Sequence, residues 1–139
     1  MFRALVVGLI VASPALAESR EEYQLRKTLE SLQGNWGVKQ MFVAGKPGPV
    51  GGRFQFRDDV LVKSTEPEES ARMLFDLSGP VPKVEYTDRH GITMIGLMGR
   101  TSTGNVVMCL VEAGMEPPKD FRSTVDNKAV LIELTPTRP

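Results

Sequence analysis

From Asn35 onward, apolar and polar positions alternate in short runs separated by clusters of Gly, Pro and Asp. Successive side chains on a strand point to opposite faces, so each run predicts a strand with a dry side and a wet side. The clearest is Arg53 to Arg57, with Phe54 and Phe56 on one face and Arg53, Gln55 and Arg57 on the other. Asn35 to Val43 sets Trp36, Val38, Gln40 and Phe42 together and ends at the turn-rich Ala44-Gly45-Lys46-Pro47-Gly48. Asp58-Asp59 joins Arg57 to Val60 to Lys63 as a hairpin, and Ala71 to Leu77 presents Met73, Phe75 and Leu77. Gly79-Pro80-Val81-Pro82 forbids helix and introduces Lys83 to Thr87, where Val84 and Tyr86 share a face. Ile92 to Met98 and Asn105 to Glu112 are apolar on both faces, with Gly96 and Gly99 expected as bulge or bend positions. A long connection, Ala113 to Asn127, precedes the last run, Lys128 to Leu134.

The segment before these runs follows a different period. Glu18 to Leu32 is charged but carries Leu25, Leu29 and Leu32 at helical spacing, and Gly34 suits the residue that ends a helix. So short a helix does not persist alone in water, so its apolar stripe is expected to lie on the following domain. Eight strand-like runs with short links and no βαβ pattern predict an all-β fold: an eight-stranded antiparallel up-and-down barrel with a short N-terminal helix. Closure removes the strand edges that invite aggregation. A two-sheet sandwich is the alternative that patterning leaves open.

Composition narrows the class without naming a function. The chain has 139 residues, 41% hydrophobic and 24% charged, which fits one globular domain. Residues 1–17 have the anatomy of a secretory signal: Arg3, an apolar run from Ala4 to Ala12, the break Ser13-Pro14, and the small-residue site Ala15-Leu16-Ala17. That apolar run is far shorter than the roughly 20 residues needed to span a bilayer, so no membrane span is expected. The domain then occupies residues 18–139, exported to a periplasmic or extracellular location and soluble after cleavage. Loss of Arg3 leaves one more acidic than basic residue, so no nucleic-acid partner is expected. Cys109 is the only cysteine, which rules out an intramolecular disulfide.

Candidate chemistry is sparse. His90 is the single histidine, in the turn Asp88-Arg89-His90-Gly91, and no Cys/His spacing supplies further metal ligands, so neither metal nor cofactor is expected. Cys109 lies between Met108 and Leu110 on an apolar strand, where a thiol acts as a small buried hydrophobe. The carboxylates at Asp58-Asp59, Glu66/Glu68/Glu69 and Glu85/Asp88 read as turn formers and solubilising charge. The acidic loop also lacks the ligand spacing of a calcium site. An enzyme is therefore not expected. The more informative set is apolar: Phe54, Phe56, Met73, Phe75, Met94, Met98 and Met108 fall at positions that line a barrel, either filling it or walling a ligand cavity.

Gly34-Asn35-Trp36 resembles the Gly-x-Trp that opens the first strand of lipocalins. Over most of the chain the pattern is similar to small lipocalin-like domains of planctomycete and related bacterial secreted proteins. Those carry a Leu-x-Gly-x-Trp opening, a midway Pro-x-x-(Ile/Val)-(Asp/Glu) segment, an apolar strand pair and a late Arg-Pro-x-x-Phe. The corresponding residues here are Leu32, Gly34 and Trp36; Pro82 and Val84, with Glu85 one place further on; and Pro118 with Phe121. Pro117 stands where the family carries arginine, and the family's closing arginine falls near Pro136, which leaves Arg138 as a displaced partner for Trp36. The resemblance implies a barrel with a structural tryptophan but no transferable activity. Two functions follow as expectations. One is a non-enzymatic domain binding a small apolar or amphipathic ligand in the barrel. The other is a solid barrel whose loops, Ala113 to Asn127 above all, bind an envelope protein or glycan, for instance as a protease inhibitor.

Overall fold

The computed structural model describes residues 18–64 and 69–137. The expected signal segment, Glu66, Glu68 and Arg138 lie outside them. Helix α1 spans Arg20–Leu32. Ser19 caps it: its hydroxyl accepts from the Glu22 N–H at 3.0 Å, and the Glu22 carboxylate reaches back to the Ser19 N–H at 3.4 Å. Arg26 bridges Glu18 and Glu30 on the solvent side, both at 3.0 Å. The leucine stripe tapers. Leu32 is buried and Leu29 half-buried, but Leu25 keeps 36% of its surface exposed, so the helix is held by its last turn and not along its length.

The strands are β1 (Gly34–Val43), β2 (Lys46–Pro47), β3 (Arg53–Arg57), β4 (Val60–Lys63), β5 (Glu69–Asp76), β6 (Lys83–Asp88), β7 (Thr93–Arg100), β8 (Val106–Glu112) and β9 (Val130–Pro136). From β3 to β9 each pairs antiparallel with the next, and β1 pairs with both β3 and β9. The ladder from Trp36↔Pro136 to Val43↔Val130 closes the sheet into a barrel, which settles the choice against two separate sheets. Strands β2 and β3 lie against the same edge of β1. They are two parts of one strand interrupted at Gly48–Gly52, so the barrel has eight positions around its wall. The Gly48 N–H still reaches the Met41 carbonyl, and the Val38 N–H the Gly52 carbonyl, both at 2.8 Å.

Two sequence expectations need correcting. In β1, Val38 pairs with Leu134 but Gln40 with Glu133, so Lys39 is an extra, bulged residue. One inserted residue reverses the facing of all that follow. Met41, not Gln40 or Phe42, therefore joins Trp36 and Val38 in the interior, while Gln40 bonds the Glu133 carboxylate at 3.0 Å on the outside. In β7, the register with β8 runs unbroken through Gly96 and Gly99, and that with β6 through Gly96, so neither is a bulge. Their lack of a side chain serves close approach instead. A Cβ at Gly96 would collide with the Cys109 carbonyl oxygen, and one at Gly99 would sit 3.1 Å from the Phe121 ring.

The apolar residues form two cores. The larger fills the barrel and includes Leu32, Trp36, Phe56, Met73, Met98 and Met108. The smaller lies outside the wall, where Cys109, Val111 and Ala129 pack with Ile95, Phe121 and Leu131. It explains why β7 and β8 are apolar on both faces: the Ala113–Asn127 connection folds back over them.

Candidate functional site

Helix α1 closes one end of the barrel. Trp36 lies there, buried, with its ring edge-on to Phe56 at 6.4 Å and 84°. Its indole N–H donates to the Leu32 carbonyl at 2.7 Å. Among the described residues, the Arg100 guanidinium lies over this ring at 5.7 Å. The Arg100 guanidinium also donates to the Ser31 hydroxyl at 3.2 Å. Gln33 adds a second tie: its amide donates to the Asp58 carbonyl at 2.9 Å and accepts from the Asp58 N–H at 2.7 Å. Leu32 and Trp36 are buried at this end, and Gly34, with φ of +115°, opens β1 between them.

All seven residues of the expected Phe/Met lining belong to the one interior core, but they divide by depth. Phe56, Met73, Met98 and Met108 are each no more than 3% exposed, so the barrel is filled at these positions. Phe75 is half-buried on the helix side, beside Leu25 and Leu77. Phe54 and Met94 are half-buried toward the other end, together with Met41 and Tyr86, which the alternation did not single out as lining. Tyr86 pairs with Met73 and Met94 across the ladders. These four pack on the filled core and keep part of their surface free; Tyr86 and Met94, paired across β6 and β7, lie nearest the barrel mouth at the strand ends away from the helix.

The register places Lys63 opposite Glu69, Ala71 opposite Asp88 and Met94 opposite Glu112, so charged residues rim the mouth. Burial pushes the Tyr86 phenol above its ordinary pKa, and the negative charges of Asp88 and Glu69 add to that shift, so the hydroxyl stays protonated.

A second concavity lies outside the wall. Leu74, Ile95 and Leu97 on β5 and β7 face Pro117 and Pro118 across a groove of about 380 Å³ flanked by Asp76, Lys83 and Glu85. Pro118 is buried, and Phe121 covers Gly99, so this pair anchors the long connection. Pro117 is exposed on the groove rim.

The remaining candidates stay apart. His90 is exposed in its turn and accepts from the Arg89 guanidinium at 3.3 Å. Asp88 is committed to that turn, accepting from the N–H groups of His90 and Ile92 at 2.9 and 3.0 Å. The Cys109 thiol donates to the Arg122 carbonyl at 3.3 Å, and burial raises its pKa, so it is held as a neutral thiol in the outer core. Among the described residues, no group of three His, Cys, Asp or Glu side chains is placed to hold a metal ion. No helix among them is long and apolar enough to cross a membrane. Comparison with known proteins finds no matching family model, curated relative or solved structure.

Proposed function

We propose that this chain is an exported, non-enzymatic, lipocalin-like domain that holds a small apolar or amphipathic molecule at the open mouth of its barrel. Export is supported by the signal pattern of residues 1–17, and the lipocalin likeness by the Leu32, Gly34 and Trp36 opening. The observation that carries the binding reading is the division by depth. Deep inward-facing residues are sealed, whereas Met41, Phe54, Tyr86 and Met94 pack on that core and keep part of their surface free. An apolar tail would rest on these four side chains while its polar end meets the charged rim and the Tyr86 hydroxyl. The test is displacement of a fluorescent fatty acid from the purified protein by a panel of single-chain amphiphiles. Saturable binding that Phe54→Ala weakens supports the proposal; no binding across the panel sinks it.

The outer groove favours a second reading, a solid barrel that binds an envelope protein or glycan through its long connection. Leu74, 49% exposed, and Pro117 give that groove an apolar lining that the fold does not use. Pull-down from envelope extract should recover a partner that is lost when residues 113–127 are replaced. Retention after replacement rejects this reading.

A further inference from the structure

Among the described residues, the methionines fall into two classes of access. Met73, Met98 and Met108 are 1 to 3% exposed and packed between Phe56, Val84, Val106 and Ile132. Met41 and Met94 are half-buried at the mouth, and Met115 is exposed on the long connection. The Met41 sulfur packs against Gly48, where a Cβ would come within 3.0 Å of it, so on that side the thioether meets main chain only. Methionine oxidation follows exposure, and it turns a flexible apolar side chain into a polar one.

We propose that Met41 and Met94 are oxidation sites, and that their conversion to sulfoxides makes the mouth polar while the sealed core keeps the fold. The effect on binding rests on the mouth function proposed above; the order of oxidation does not. The oxidant is hydrogen peroxide. A thioether lone pair attacks one peroxide oxygen, the S–O bond forms and the O–O bond breaks. The proton of the transferred hydroxyl passes to the departing hydroxide, which leaves as water; sulfur loses two electrons and the peroxide gains them. The core methionines lack an approach for the oxidant, so their reaction requires unfolding. Damage is thereby confined to the surface that contacts the guest.

The experiment is a hydrogen peroxide titration of the purified protein, followed by peptide mapping, thermal unfolding and titration with a fluorescent fatty acid. Met41, Met94 and Met115 should be oxidised while Met73, Met98 and Met108 remain thioethers and the unfolding transition persists. Affinity for the probe should fall at least about tenfold, as expected when two apolar contacts become polar. Met115→Leu, outside the mouth, should bind the probe as the parent does and lose affinity on treatment, whereas in Met41→Leu/Met94→Leu the ratio of affinity after treatment to affinity before it should stay near one whatever its starting value. Oxidation of the core methionines as fast as Met41 and Met94 overturns the proposal, as does an equal loss of affinity in the double variant. If the untreated protein does not bind the probe, the mouth function fails on its own and the affinity effect with it. The peptide map then decides the modification alone.

Discussion

The indole N–H of Trp36 donates to the carbonyl of Leu32 at 2.7 Å, which ties the first barrel strand to the last turn of the helix that closes it. A helix C-terminus leaves carbonyls without intrahelical partners, and a buried one needs a donor. Here the donor is the only tryptophan. Trp36→Ala should lower stability by about 3 to 5 kcal/mol through the cavity it leaves. Trp36→Phe keeps most of the ring but strands the Leu32 carbonyl, a loss of about 1 kcal/mol. Urea denaturation of both variants separates the two contributions.

Phe54 and Phe56 share a strand and a facing but not a depth. Phe56→Ala should destabilise by about 3 to 5 kcal/mol. Phe54→Ala should lose less than half as much and should weaken fatty-acid binding. A Phe54→Ala variant that is strongly destabilised would mean that this residue belongs to the core and not to the mouth.

Gly96→Ala should cost more than about 3 kcal/mol, because the added methyl meets the main chain of Cys109, which cannot move without breaking the β7–β8 ladder. Gly99→Ala meets only the edge of the Phe121 ring, which can shift, so its cost should be clearly smaller. Thermal unfolding midpoints give the order; reversal of that order would contradict the packing described here.

Gln33→Ala removes both hydrogen bonds to the Asp58 backbone and should destabilise by about 1 to 2 kcal/mol. Asp58 itself has φ of +56°, a left-handed conformation that glycine adopts freely. Asp58→Gly should therefore be neutral or gain up to about 1 kcal/mol. Chemical denaturation of the two variants should give changes of different size, with only the first clearly destabilising.

Glu133 gives the acid limb of stability. Its carboxylate accepts from Asn105 at 2.7 Å and from Gln40 at 3.0 Å, with the Lys39 ammonium 3.7 Å away. The Asn105 bond is the main reason its pKa lies below the ordinary value, with the Lys39 charge and the Gln40 bond adding to it. Because the folded value is depressed, this contribution is fully present above the ordinary glutamate pKa of about 4.3 and disappears as pH falls through the lower folded value. Asn105→Ala should cost about 1.5 to 3 kcal/mol at neutral pH. Denaturation between about pH 6 and pH 3 should show the gap between parent and variant narrowing on the acid side.

The alternation of Phe54 and Phe56, the Asp58-Asp59 turn and the Gly/Pro punctuation made the barrel strands legible, because strand period and turn chemistry are local properties. Boundaries moved by a few residues: β5 begins at Glu69 and β9 at Val130. The candidate site was legible only in part. The Phe/Met set was visible as a facing, but its division into sealed and half-exposed members depends on how far along the barrel axis each side chain sits. Met41 was hidden by the Lys39 bulge, which leaves no mark in composition. Arg100 over Trp36 and Phe121 over Gly99 join residues far apart in the chain, and local periodicity does not record such pairs.

The sequence by itself determined the period of the strands, the helix that precedes them and the Leu32-Gln33-Gly34-Asn35-Trp36 junction between the two, since each depends on neighbouring residues alone. Tertiary structure decided the rest. Pairing of β1 with β9 made the sheet a barrel, and one bulged residue chose which side of β1 faces inward. Filling of the lumen by Phe56, Met73, Met98 and Met108 sealed the deep interior. These outcomes depend on which distant strands meet and on how much volume their side chains occupy, and close packing fixes both only when the whole chain is folded.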